Sequence, residues 1–380
     1  MEEINIWDLG DKINIKLNED FLKKINLLIR KNFRSKQKFY NKIKKDCDVP
    51  YGTFKNLLKY SYYKCNFYSP LSVFISCCNN LYIPKDELQE NILSYKTKRG
   101  WNTINKPILP IRISPIFDMI LAHHMADGNV ASTKGRQLYF GYRQFDKELR
   151  LLYIKKLESI FGKIKYKKDY FKKSTKPYCP AVISQLFFRY YNLNKRSFLS
   201  KKARIPKEIF NKSRGFLLAV ILAFIIDEGN IDSTLIVIRL KNIKLTRDLY
   251  KICKRLGYKS TFKTKGDYGS LYIVRNGMKK LFKEYKILVK KYPEASLGKF
   301  HDKIESGLEI YNRLIYKTKG NRDIIFKMLK KENLTINQIA HSINMTRQGV
   351  RWHIHILEKE NKIIKKGLIE RRNILYGVGG

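Results

Sequence analysis

One pattern limits what this chain can fold into more than any other: an apolar helix ending in an acid and a glycine is written twice. Pro115–Val130 reads PIFDMILAHHMADGNV, and 101 residues further on Phe216–Ile231 reads FLLAVILAFIIDEGNI. Each copy is a helix-length apolar run closed by an acid, a glycine, an asparagine and a β-branched residue. A helix that is apolar all round has to be buried on every side. Ala122 and Ala126 in the first copy, and Ala219 and Ala223 in the second, lie one turn apart. Small residues at that spacing let two helix backbones approach closely. The copies are therefore expected to pack against each other, with Asp127 and Glu228 side by side at matching ends.

That placement is chemically unusual. A helix C-terminus carries partial negative charge, so a carboxylate in the last turn is mildly unfavourable. Two acids held together at two such ends call for a divalent cation, and oxygen donors completed by water and phosphate suit Mg²⁺, with Mn²⁺ as the alternative. Gly128 and Gly229 fit the left-handed residue that commonly terminates a helix. Asn129 and Asn230 are expected to stabilise the turn that follows.

Ile120–Gly128 (ILAHHMADG) and Ile221–Gly229 (ILAFIIDEG) resemble the paired signature helices of the LAGLIDADG homing endonucleases. The resemblance implies an α+β fold, a pseudo-twofold pair of αββαββα halves whose interface is the helix pair. It also implies Mg²⁺ or Mn²⁺ at the acid–glycine ends, making Asp127, Gly128, Glu228 and Gly229 the metal-site residues, with Asp127 and Glu228 catalytic. The first copy departs from the family with His123, His124 and Met125, the second with Ile226 where the family commonly has an acid.

The charge balance points to the partner. Lys and Arg number 78 against 33 acidic residues, a formal net charge of +45 spread along the chain. A partner of repeating negative charge follows, and double-stranded DNA is the expected one. With 44% hydrophobic and 13% aromatic residues the chain can build real cores. Six cysteines show neither a CxxC pair nor Cys/His zinc spacing and read as small buried hydrophobes in a reducing compartment. Met1–Gly10 is acidic and polar, unlike a secretory leader. The longest apolar run, Phe216–Ile226, falls short of the ~18 residues that span a bilayer. The expectation is an intracellular, nucleoid-associated protein of the cytoplasm with no membrane contact.

Along the chain, residues 1–105 are expected to form an all-α, helix-turn-helix-like unit and linker. Phe21, Leu22, Ile25, Leu28 and Ile29 mark one helix face, Lys36–Lys45 a second helix and Tyr51–Tyr60 a third. A lambda-repressor-like reading would turn Tyr51, Thr53, Lys55, Asn56 and Lys59 to DNA; a generic basic bundle is the alternative. Lys96–Pro110 reads as an irregular linker. Residues 106–319 hold the two halves, about 110–200 and 205–310. Their strand segments, including Gly162–Tyr170 and Tyr178–Ser184, would form a basic saddle carrying Arg136, Tyr139, Tyr142, Arg143, Arg239, Lys241, Lys263 and Lys265. A one-residue slip inverts each of those assignments. Residues 320–380 resemble a winged helix: Arg322–Lys330, Thr335–Ile343, a third helix capped by Thr346, and a Lys362–Tyr376 wing. Arg347, Gln348 and Arg351 would start its recognition helix.

His123 and His124 read as core or interface histidines, and His353 as a packing residue of the winged helix. Two copies in one chain imply a monomer acting on an asymmetric site. The functional expectation is a site-specific, Mg²⁺-dependent DNA endonuclease. The alternative is a non-cleaving transcriptional regulator on the same scaffold, and an RNA-splicing maturase is a third option.

Overall fold

The computed structural model describes every residue except 1, 11, 48, 65–66, 99, 101, 133–137, 167–175, 200, 233–234, 315–319, 370–372 and 380. The chain is a mixed α+β protein with antiparallel sheets. It opens with strands β1 (Glu3–Ile4) and β2 (Ile13–Leu17), helices α1 (Glu19–Phe33), α2 (Lys36–Ile43), α3 (Tyr51–Leu57) and α4 (Tyr60–Lys64), and strand β3 (Ser69–Pro70). Helices α5 (Leu71–Leu81) and α6 (Lys85–Glu90) follow, then β4 (Ile92–Thr97), β5 (Thr103–Pro107) and β6 (Ile111–Arg112). Asn18 and Ser35 cap α1 and α2 by accepting from the N–H groups of Phe21 and Lys38. The helix face expected for α1 is buried at Phe21, Leu22, Ile25 and Ile29.

The stretch expected as a linker is not irregular. Strands β4 and β5 take up seven of its fifteen residues, in a five-stranded sheet ordered β3-β2-β4-β5-β9, so the N-terminal part is not all-α. Its last strand, β9 (Gly162–Lys165), comes from the first half of the central region. Ile15, Tyr95, Ile104 and Ile164 lie in register across four strands and are buried. Such short strands carry little alternation of their own and gain their apolar face only by pairing. One continuous core runs from Ile4 to Ile304, across the boundary expected near residue 105.

The central region continues with α7 (Pro115–Ala126), β7 (Gly128–Ser132), β8 (Leu138–Tyr142), α8 (Lys147–Phe161), β9, and α9 (Ala181–Tyr190). After the short α10 (Lys207–Phe210) come α11 (Arg214–Glu228), β10 (Gly229–Asp232), β11 (Leu235–Leu240), α12 (Ile243–Arg255), β12 (Ser260–Lys265), β13 (Tyr268–Val274), α13 (Arg275–Lys291) and α14 (Phe300–Leu314). From α11 to α13 the order is α-β-β-α-β-β-α, with one sheet ordered β10-β11-β13-β12. The first copy differs. Among the described residues its β7–β8 ribbon is a two-stranded sheet, β9 pairs with β5, and Tyr178 makes an isolated bridge to Gly141. Most of the strand expected over Tyr178–Ser184 is the first turn of α9, which Pro180 precedes.

Residues 320–380 have a separate core built on Ile325, Leu329, Ile339, Val350, Ile354, Leu357 and Tyr376. Helices α15 (Asn321–Lys331), α16 (Ile336–Ser342) and α17 (Arg347–Lys359) pack on a sheet of β14 (Leu334–Thr335), β16 (Asn373–Val378) and β15 (Ile363–Ile369). Thr335 and Gln338 form a reciprocal capping box, and Thr346 accepts from the Gly349 N–H. Among the described residues no helix is long and apolar enough to cross a membrane.

Candidate functional site

The site is assembled by α7 and α11, the two copies of the repeat. Pro115–Met125 of α7 and Leu217–Ile226 of α11 are buried on every side, as a uniformly apolar helix requires. The helices pack on each other with like ends together. At their N-terminal ends, Lys212 just before α11 pairs with the buried Asp118 of α7, Nζ to Oδ2 2.9 Å. At their C-terminal ends, Nδ1 of His123 on α7 lies 2.8 Å from Oδ2 of Asp227 on α11.

Asp127 and Glu228 stand at the two C-terminal ends, both half-buried. Burial, and then the nearby charge of Asp227, push Asp127 up to about 7, with Arg143 opposing. Burial, and then the charges of Asp127 and Asp227, push Glu228 up to about 7 as well. Neither glycine adopts the left-handed conformation expected of it: Gly229 has φ −83° and ψ 136°, and Gly128 has no positive φ. Each is needed for space instead. A Cβ at Gly128 would overlap the His124 backbone, and one at Gly229 the Ile225 carbonyl. The chain passes from helix straight into a strand, so Asn129 and Asn230 belong to β7 and β10 rather than to a turn.

Asp227 is the residue that motif reading misses. It fills the position of Ala126 in the first copy, yet its side chain is fully buried and both its oxygens are held by the other half. Oδ1 accepts from the Tyr142 hydroxyl at 2.6 Å and Oδ2 contacts His123. Burial drives the Asp227 carboxyl well above its ordinary range, opposed by the Tyr142 hydroxyl and Lys156. Burial, then Lys156, drives His123 well below its own. The imidazole is thus neutral, and the contact is a hydrogen bond rather than an ion pair. Behind it the Tyr153 hydroxyl meets Nε2 of His124 at 2.8 Å. Lys156 is fully buried and lowered to about 7 by that burial, against the pull of Asp227 and Glu294. His123 is thus an interface residue and His124 a core residue of the first half.

Tyr142, expected on the open face, is therefore a core residue: strand alternation turns it inward and leaves Tyr139 partly open. Arg143 is exposed beside Asp127, and Arg136 lies outside the described residues. In the second half three of the four expected side chains lie together. Arg239, Lys263 and Lys265 line an open groove of about 620 Å³ that Glu228 borders, with Ser270 and Tyr272. The Arg239 guanidinium lies 4.7 Å from the Tyr268 ring. Lys241 is exposed just past the end of β11, outside that lining. Lys55, Asn56 and Lys59 are exposed on or next to α3, and Tyr51 and Thr53 are half-buried. Arg347, Gln348 and Arg351 are exposed on the first turns of α17, and His353 is buried.

Two oxygen donors at adjacent helix ends, each raised by burial and then by its neighbours' charge, form a donor set suited to a hard divalent cation. Asp227 is committed elsewhere. Among the described residues no group of three or more His, Cys, Asp or Glu is arranged to hold a metal ion.

No protein-family model and no curated protein matches the sequence. Among solved structures, the chain is similar to mesophilic variants of the homing endonuclease I-DmoI, with TM-score 0.32 and 12% identity over 46% of this chain and 90% of that one. It is similar to I-DmoI in complex with DNA and Ca, at TM-score 0.31 and 16% identity, over 48% and 95% of the two chains. It is also similar to full-length DUF199/WhiA from Thermatoga maritima, at TM-score 0.29 and 13% identity, over 65% and 90%.

Proposed function

We propose that the protein is a divalent-cation-dependent DNA endonuclease of the LAGLIDADG homing type, acting inside the cell as a monomer on an asymmetric duplex site. The observation that carries this reading is the pair Asp127 and Glu228 at matching ends of one buried helix pair, with Glu228 opening onto a groove lined by Arg239, Lys263 and Lys265. In this reading the three cations attract the phosphate backbone, and the two carboxylates hold Mg²⁺ or Mn²⁺. When bound, such an ion polarises a phosphoryl oxygen and lowers the pKa of a bound water. Asp227, gripped by His123 and Tyr142, positions the end of α11 and hence Glu228. Tyr51, Thr53, Lys55, Asn56 and Lys59 near the N-terminus, and Arg347, Gln348 and Arg351 in the winged helix, would extend the contact and read bases.

A second reading, a DNA-binding regulator that does not cut, draws on the separate core and exposed recognition-helix face of residues 320–380. The two are told apart by incubating the protein with a random-site plasmid library in Mg²⁺ or in EDTA. The nuclease reading expects Mg²⁺-dependent cutting that Asp127→Asn and Glu228→Gln each abolish while DNA binding survives. Cutting by Asp127→Asn at the parent's rate would remove the site assignment, and no cutting by the parent would leave the regulator.

A further inference from the structure

The five-stranded sheet has two faces of opposite chemistry. Its core face is the row Ile15, Tyr95, Ile104 and Ile164. Side chains alternate along a strand, so the neighbouring positions fall on the other face. One row there runs Lys16 opposite Ser94, Ser94 opposite Asn105, and Asn105 opposite Lys163. Beside it Asn14 stands opposite Lys96, and Thr103 opposite Lys165. Four lysines from three strands therefore share a surface otherwise made of small polar residues.

Tyr68 lies between two of them, its ring 5.0 Å from the Lys16 Nζ and 4.7 Å from the Lys96 Nζ. Its hydroxyl is 3.2 Å from the Ser94 Oγ. Lys163 is paired with Glu158 at 2.8 Å, but among the described residues no carboxylate pairs with Lys96 or Lys165. Burial, then the charges of Lys165 and Lys96, depress Lys16 below the usual lysine range. The fold thus concentrates like charge on a polar sheet face, with Lys16 donating to the Tyr63 carbonyl at 3.1 Å.

This face is joined to the first half of the candidate site. The Asn102 side chain and the Tyr166 hydroxyl both donate to the Tyr178 carbonyl, at 3.3 and 3.1 Å. Tyr178 in turn bridges to Gly141 of β8, and β8 pairs with the strand that begins at Gly128, next to Asp127.

We propose that the polar face of the β3-β2-β4-β5-β9 sheet is a second binding surface for the phosphate backbone of duplex DNA, taking up the duplex beyond the part that lies at the carboxylate pair. This rests on DNA being the partner. A surface of this chemistry binds without reading sequence: its lysines meet phosphates, and Asn14, Thr103 and Asn105 add hydrogen bonds to the backbone.

The test compares the parent with Lys96→Gln/Lys165→Gln on random-sequence duplexes of two lengths, one short enough for the central groove alone and one much longer. Lys96→Arg/Lys165→Arg keeps the charges as a control, and melting curves verify folding; the Gln pair removes mutual repulsion and leaves the core row untouched. Each lysine–phosphate pairing removed lowers the slope of log affinity against log salt by about 0.9, so the Gln pair should flatten it by roughly 2 on the long duplex. On the short duplex the slope should be unchanged, and the Arg pair should behave as the parent. A parent that binds DNA while the Gln pair keeps its full slope on the long duplex overturns this proposal alone. A parent that binds no duplex at all removes the functional reading and this proposal together.

Discussion

Replacing Asp127 by Asn should make the protein more stable, and only above a certain pH. In the fold this carboxyl titrates near 7, pushed there by burial and then by the charge of Asp227, whereas in the unfolded chain it titrates near the ordinary value of about 4. The folded state therefore binds the proton more tightly. The contribution of Asp127 to stability is neutral below about pH 4, becomes increasingly unfavourable as pH rises towards 7, and stays constant above. At full strength that displacement corresponds to about 4 kcal/mol. The group is half-open to water, so screening reduces it to about 1–2 kcal/mol. Asp127→Asn removes that penalty. In EDTA at pH 8 its melting temperature should exceed the parent's by roughly 2–3 °C, and at pH 4 the two should coincide. Adding Mg²⁺ should raise the parent and not the variant, because bound cation stabilises only the form that holds it. Melting followed by circular dichroism across pH, with and without Mg²⁺, measures all of this. Equal melting temperatures at pH 8 in EDTA, or the same gain at pH 4 as at pH 8, would refute the argument that burial and the charge of Asp227 raise this carboxyl.

Three further outcomes are expected. Tyr142→Phe deletes one donor to the buried Asp227 carboxylate, and chemical denaturation should register a loss of about 1–3 kcal/mol. Asp118→Ala leaves the Lys212 ammonium without its buried partner and should cost about 3 kcal/mol in the same assay; Asp118→Asn should recover part of it. Residues 320–380 have a core of their own, so that segment expressed alone should give dispersed amide resonances and a cooperative melt, which a molten or unfolded segment would contradict.

Much of this architecture is written in the sequence, and the reasons differ for each part that is not. The Ala122/Ala126 and Ala219/Ala223 spacing is enough to pair α7 with α11, because burial on all sides leaves such helices few partners. The caps Thr335 and Thr346 delimit the last helices through a local hydrogen bond that needs no tertiary context. Asp227 is hidden because it stands where the first copy has Ala126: comparison of copies shows an inserted acid, not that Tyr142, 85 positions away, will meet it. Tyr142 itself is misplaced by pattern because strand facing depends on register, which a neighbouring Tyr139 and Tyr142 of like chemistry cannot fix. The strands within Lys96–Pro110 are illegible for a third reason: Ile104 is the inward apolar residue of the stretch, its partner Tyr95 falls just before it, and its other partner Ile164 arrives from much later in the chain.

The contribution of β9 to the N-terminal sheet has a consequence for synthesis. As the chain leaves the ribosome, strands β2 to β5 emerge well before Gly162–Lys165, and until then the outer edge of β5 has no strand beside it. An open edge is a template for pairing with another chain. During that interval the N-terminal segment holds its helices and most of its sheet but has one side unsealed, and emergence of α8 and β9 closes it. Two nascent chains on one messenger are therefore at their greatest risk of joining through β5 in the window between residues 107 and 162, and a pause placed there should raise the yield of mispaired dimers.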